Sequence, residues 1–142
     1  MPNHFHILFR EKIEGGISQF MLKLGTAYSM YVNKRHTRTG PLFCKPFRVE
    51  HVVRDEHLKY LFAYIHLNPV KLIDSKWKEN GIYDKNRAKK YLDGYEYSSY
   101  KEYTKEGTLL GKILTKKVFP QYFAKNRDFQ SYIHDWLAYT EI

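Results

Sequence analysis

Residues 4–9 spell HFHILF, and the fold implied by the sequence turns on how that run is taken. It is mostly apolar and is closed by the charged REKIEGG, which suits a strand ending in a turn at Gly15 and Gly16. In a strand, residues two apart share a face. His4 and His6 then project side by side, while Phe5 turns to the opposite face and anchors the strand in the core. Two neutral imidazoles held that way can chelate one divalent ion. Taken alone, the pair reads more simply as two ordinary, partly buried strand histidines.

Outward from that run, Ile17, Phe20, Met21, Leu24, Tyr28 and Tyr31 recur at helical spacing and predict an amphipathic helix over 17–34. NKRHTRTGP, residues 33–41, follows as a basic loop. FRVEHVV, residues 47–53, alternates apolar and polar side chains and predicts a second strand. Asp55 can cap a helix running to about Leu67, with Leu58, Leu61, Phe62 and Ile65 as its buried stripe. Pro69 stops it, because the residue before a proline is pushed out of helical geometry. Residues 76–90 are polar and lysine-rich, a loop leading into a short helix. YEYSSYKEY, residues 95–103, and VFPQYFAKNRDFQSYIHDWL, residues 118–137, predict further helices. There is no internal repeat and no low-complexity segment.

Composition narrows the class. The 142 residues suit one domain, and 24 Lys and Arg against 15 Asp and Glu leave a formal net charge of +9. The positive residues are spread along the chain, not gathered on one amphipathic helix, so the anionic partner they suggest is nucleic acid before membrane. Thirteen Tyr, nine Phe and two Trp add flat faces on which unstacked bases can lie. The plainer alternative is a soluble domain with a wet, positive surface. One cysteine, Cys44, excludes an internal disulfide and makes a reducing compartment the default. No apolar run reaches the length of a membrane span. The expected location is the cytoplasm.

A second chemical stretch is YIHLNPVK, residues 64–71. Tyr64 and Asn68 are four apart and share a helix face if the helix persists to its last turn. A tyrosine and a carboxamide there could meet an ion held by the two histidines. A rim tyrosine followed by an Asn-Pro helix stop accounts for the same residues.

MPNHFHILF followed by YIHLNPVK resembles the REP-associated tyrosine transposases and their IS200-like relatives, the single-tyrosine HUH transposases. HUH denotes His-hydrophobic-His, which His4-Phe5-His6 matches. Residues 40–71, GPLFCKPFRVEHVVRDEHLKYLFAYIHLNPVK, are similar to the stretch these proteins carry between the basic loop and the catalytic helix. YEYSSYKEY resembles their W-x-x-SSY segment, with Tyr95 where a tryptophan is usual. The likeness covers nearly the whole chain and is weakest over 73–93 and 104–118.

The resemblance implies a ferredoxin-like α+β HUH-transposase fold, an antiparallel sheet packed with helices, with extra C-terminal helices. Residues 1–142 would form a single domain, 1–72 as its catalytic core and 73–142 as a C-terminal helical extension. His4 and His6 would be metal ligands, Tyr64 the nucleophile and Asn68 a third ligand. The ion would be Mg²⁺ or Mn²⁺, polarising one DNA phosphate. Attack by Tyr64 would leave a 5′-phosphotyrosine and a free 3′-hydroxyl, resolved by another 3′-hydroxyl without ATP. A free phenol ionises only near pH ~10, so Tyr64 would need the ion's field or a base.

The implied substrate is single-stranded or hairpin DNA. Lys34, Arg35 and Arg38 in the basic loop, with Lys45 and Arg48 near the second strand, are the candidate backbone contacts. Each taken singly is an ordinary solvated charge. Tyr95, Tyr97 and Tyr100 could stack on bases, though packing of a C-terminal helix suits them better. His36, His51, His57, His66 and His134 receive no role.

Family members carry some dozens of residues before the HUH strand, so the expected sheet is truncated at its N-terminal side. An open apolar edge there invites pairing with a second chain, a possible homodimer. Two other readings use the same residues. One is a non-catalytic, DNA-binding remnant of such a transposase. The other is a metal-dependent phosphodiesterase, which the scarcity of carboxylates near either motif opposes.

Overall fold

The computed structural model describes residues 4–105, 110–116, 122 and 125–138. Its elements are helical: α1 (Gly16–Arg35), α2 (Asp55–Leu67), a 3₁₀ turn (Asn68–Leu72), α3 (Trp77–Asn80), α4 (Lys85–Gly94), α5 (Tyr100–Thr104), a second 3₁₀ turn (Leu110–Ile113) and α6 (Asn126–Ala138). They fall into two compact units. One comprises Met1–Ile7 with Val53–Ile142, and the other Leu8–Val52.

The antiparallel sheet of the ferredoxin-like expectation is not there. Among the described residues there is no strand, and both 4–9 and 47–53 run without regular structure. The physical reason lies in what a strand requires. Alternation of apolar and polar side chains is a statement about a half-buried surface, not a backbone preference. A strand also needs a neighbour to take its N–H and C=O groups. Among the described residues neither run is paired in a strand ladder, and Phe5, Ile7, Phe47, Val49 and Val53 are all exposed. Phe5 therefore does not anchor a core.

In the Leu8–Val52 unit, α1 takes the place predicted for it. Gly15 precedes it at φ +73°, a left-handed value that favours glycine. The Ile17 N–H donates to the Glu11 carboxylate at 3.3 Å, which serves one unpaired donor of the first turn. Lys34 and Arg35 close the helix, where cations complement its dipole. The loop beyond is pinned by side chains: Asn33 Nδ2 donates to the Gly40 carbonyl at 2.9 Å and Arg38 to the Pro41 carbonyl at 3.3 Å. No side chain of α1 is buried, although Ile17, Met21 and Leu24 of its predicted stripe are partly covered.

The other unit has a real core. Phe129 of α6 sits at its centre, stacked on Tyr103 at 5.0 Å and edge-on to Phe62 at 5.9 Å. Leu67, Val70, Leu92 and Ile133 complete it, all with less than 2 % of their surface exposed. The predicted span of α2 holds, but its buried face is Phe62, Ala63, His66 and Leu67, whereas Leu58, Leu61 and Ile65 are only half-buried. The face is rotated because a histidine, which no hydropathy pattern counts as core, sits at its centre. Asp55 is the first helical residue and not the cap, a place held by Arg54. Nor does Pro69 end the winding. Asn68 stays helical at φ −53°, ψ −35°, and the chain tightens into the 3₁₀ turn, whose first residues tolerate a proline without an N–H. Tyr100 and Tyr103 of the YEYSSYKEY segment are core residues. Of the run predicted helical over 118–137, residues 118–121, 123 and 124 lie outside the described residues.

Candidate active site

Helix α2 presents Tyr64 about 200° around the helix axis from His66, since each residue turns the winding by roughly 100°. His66 faces the core, so Tyr64 emerges half-buried on the other side. The irregular segment 4–7 belongs to the same unit and brings its histidines to that side. The His4 and His6 rings lie edge-to-face with centroids 5.0 Å apart, and the His6 ring meets the Tyr64 ring edge-on at 5.6 Å. The HUH pair and the tyrosine thus come together with no strand to carry the pair. Burial lowers the His6 pKa from its ordinary value, and the nearby His4 and Lys78 lower it further, so its ring is neutral near pH 7.

Asn68 is one turn beyond Tyr64, with its backbone N–H donating to the Tyr64 carbonyl. It is 2 % exposed, its amide nitrogen has no acceptor, and it makes no hydrogen bond with either histidine. Among the described residues no group of three or more His, Cys, Asp or Glu gathers where an ion could be held. The donors this place brings together are the two imidazoles. Imidazole nitrogens are donors that such an ion accepts, and the two rings are adjacent.

A lysine that the sequence reading passed over completes the site. Lys78 of α3 holds Nζ 4.0 Å from the centre of the Tyr64 ring. The contact is a cation held over an aromatic face, and it puts a positive charge beside Tyr64. It sits in the lysine-rich 76–90 stretch, where no spacing rule separates it from its neighbours.

His66 is structural. It is fully buried, with Nδ1–H donating to the Phe62 carbonyl at 2.7 Å. That fixes the tautomer, so Nε2 accepts from the Ser99 hydroxyl at 2.8 Å. Burial pushes its pKa down to about 4. The SSY segment therefore serves α2: Ser99 is the partner of His66, and Tyr100 follows it into the core. Tyr97 is fully out in solvent and Tyr95 half-buried.

The five candidate DNA contacts lie in the Leu8–Val52 unit. Lys34, Arg35, Arg38, Lys45 and Arg48 are all exposed, and none makes an ion pair among the described residues. Arg35 donates weakly to the Tyr31 hydroxyl at 3.4 Å. From Lys34 to Arg48 the chain has no Asp or Glu. Among the described residues no helix is long and apolar enough to cross a membrane.

The family described as transposase IS200-like matches residues 1–68. That range takes in the histidine pair, Tyr64 and Asn68. No curated protein and no solved structure matches the chain.

Proposed function

The chain belongs to the IS200-like transposases by residues 1–68, which points to a transposase, and from that premise we propose that it cuts and rejoins single-stranded or hairpin DNA through Tyr64. The observation that carries the reading is the ring contact of His6 with Tyr64, with His4 beside His6 and Lys78 over the phenol.

In the proposed reaction the Tyr64 oxygen attacks a DNA phosphorus. A P–O bond to the tyrosine forms as the bond to the 3′-oxygen breaks. The 3′-oxygen takes up a proton and leaves as a hydroxyl, while the phenolic proton passes to water or a nearby base. A later 3′-hydroxyl reverses the step, because a phenol leaves more readily than an alcohol. Lys78, over the Tyr64 ring, offsets charge on the phosphate under attack, and the partly buried position of Tyr64 limits competing water. His4 and His6, with Asn68 through Oδ1, are the residues that would hold Mg²⁺ or Mn²⁺. Bound there, the ion would supply Lewis-acid polarisation of the phosphate. Lys34, Arg35, Arg38, Lys45 and Arg48 supply sequence-independent attraction to the DNA backbone.

The test is covalent trapping with hairpin and single-stranded oligonucleotides from DNA flanking the gene, in Mn²⁺. The expected result is a band shift that survives denaturation and is lost in both Tyr64→Phe and His4→Ala. Oligonucleotide binding with no adduct under any condition would instead favour a DNA-binding protein without catalysis.

A further inference from the structure

Beside Tyr64, within the same unit, α2, α3 and α6 enclose an open cleft of about 640 Å³. Its walls are aromatic. Tyr60 stacks on Tyr64 at 6.0 Å with 23° between the ring planes, and Trp136 meets Tyr60 edge-on at 5.7 Å. The nucleophile's ring is thus one end of a run of three aromatic side chains. Trp77 lines the same cleft, and its indole N–H is buried with no acceptor. Asp135 adds an exposed carboxylate acceptor to the lining. Lys78, a further lining residue, supplies a cation next to Tyr64.

We propose that this cleft seats an unstacked nucleobase of single-stranded DNA, the one flanking the phosphate that Tyr64 attacks. Each feature matches a part of one nucleotide. The ring faces of Tyr60 and Trp136 take the flat base, as aromatic platforms do in proteins that bind single strands. The exposed Asp135 carboxylate addresses an amino group on its edge. Lys78 meets the phosphate. An apolar peptide would fill the same aromatic walls but leave the lysine without its anion. The cleft is of the size that buries a small ligand. It also accounts for how an attacked phosphate is aligned: with the base held at one side, the phosphorus is brought towards the Tyr64 oxygen. The location beside the attacked phosphate rests on the transesterification reading; the base site itself does not.

The two tryptophans of the chain, Trp77 and Trp136, both line the cleft, so intrinsic fluorescence reports its occupancy. The experiment titrates the full chain with a short single-stranded oligonucleotide, and separately with an abasic strand of equal length carrying the same phosphates. The expected result is saturable quenching by the base-bearing strand and none by the abasic one. Trp136→Leu should weaken binding of the base-bearing strand by about ten-fold or more, read through Trp77. Tyr60→Leu, at an exposed position, should do the same if the Trp136 variant fails to fold. Equal quenching by the abasic strand, or unchanged affinity in a folded variant, would overturn the proposal. The two readings fail separately. Quenching that persists in Tyr64→Phe, with no adduct in the unaltered chain, keeps the base site and sinks the transesterification. An adduct without base-dependent quenching does the reverse.

Discussion

The unit that carries Tyr64 buries Phe129, Leu67, Leu92, Ile133 and Val70 almost completely, whereas no described side chain of Leu8–Val52 is buried and Leu22, Met30 and Tyr31 of α1 stand in solvent. The two regions are built from the same kinds of residue. They differ in which interactions hold them. Helix α1 is made of bonds within twenty residues, closed by a left-handed glycine at one end and cations at the other. Helices α2, α5 and α6 are held by aromatic contacts between segments far apart in the chain, Phe62 and Tyr103 on Phe129. Local bonding can produce a helix, but it leaves stability to whatever the helix packs on. The consequence is a division of labour in which one region holds a geometry and the other displays charge.

The sharpest way to break that division is at the tyrosine. Tyr64→Phe should abolish the covalent DNA adduct completely on a denaturing gel while oligonucleotide binding persists, because the ring contact is retained and the attacking oxygen is gone. An adduct surviving in that variant would shift the nucleophile elsewhere. Next comes the core. Phe129→Ala should destabilise the chain by about 3–5 kcal/mol in chemical denaturation, as expected for a large aromatic removed from a packed centre. Met30→Ala, on the exposed face of α1, should stay within about 0.5 kcal/mol. Equal effects would show that the two regions are stabilised alike.

Acid should act on the packed unit through His66. Its folded pKa, about 4, lies below the ordinary 6.5, so the unfolded chain binds the proton first. The neutral ring's contribution is complete above pH 6.5 and is lost as pH falls towards 4, by up to about 3 kcal/mol. The groups around that ring are Phe62, Tyr103, Phe129 and Ser99, none charged. Denaturation midpoints at pH 7 and pH 4.5 should differ less in His66→Gln than in the unaltered chain. The smallest effect belongs to the basic region. Replacing Lys34, Arg35 and Arg38 by Gln should flatten the salt dependence of single-strand binding by up to about 0.7 per lost phosphate contact. The unfolding midpoint should stay where it was.

The helices over 16–35 and 55–67 were legible because a 3.6-residue rhythm is local, and so was the pairing of the HUH motif with Tyr64 through family likeness. The sheet was not. HFHILF and FRVEHVV have the alternation of strands, yet alternation says nothing of whether a neighbour is present to bond them, and here both are irregular. The face of α2 was misjudged for a different reason. Ala63 and His66 carry little weight in a hydropathy pattern, but one is small enough and the other well enough hydrogen-bonded to be buried. The cleft was out of reach altogether. Trp77 and Trp136 are fifty-nine residues apart in the sequence, and only the packing of α6 brings them to one hollow.

The bond between His66 and Ser99 works as a key in a shaft. A spin of one residue's worth about the helix axis would swing Tyr64 by roughly 100°, and the packing of Phe62 and Leu67 already opposes it. An imidazole gripped at both nitrogens, by the Phe62 carbonyl within its helix and by a serine outside it, opposes it further. The direction in which the tyrosine points is thereby decided on the opposite side of the cylinder, by a hydroxyl thirty-five positions downstream. Aim, in this molecule, is set from behind.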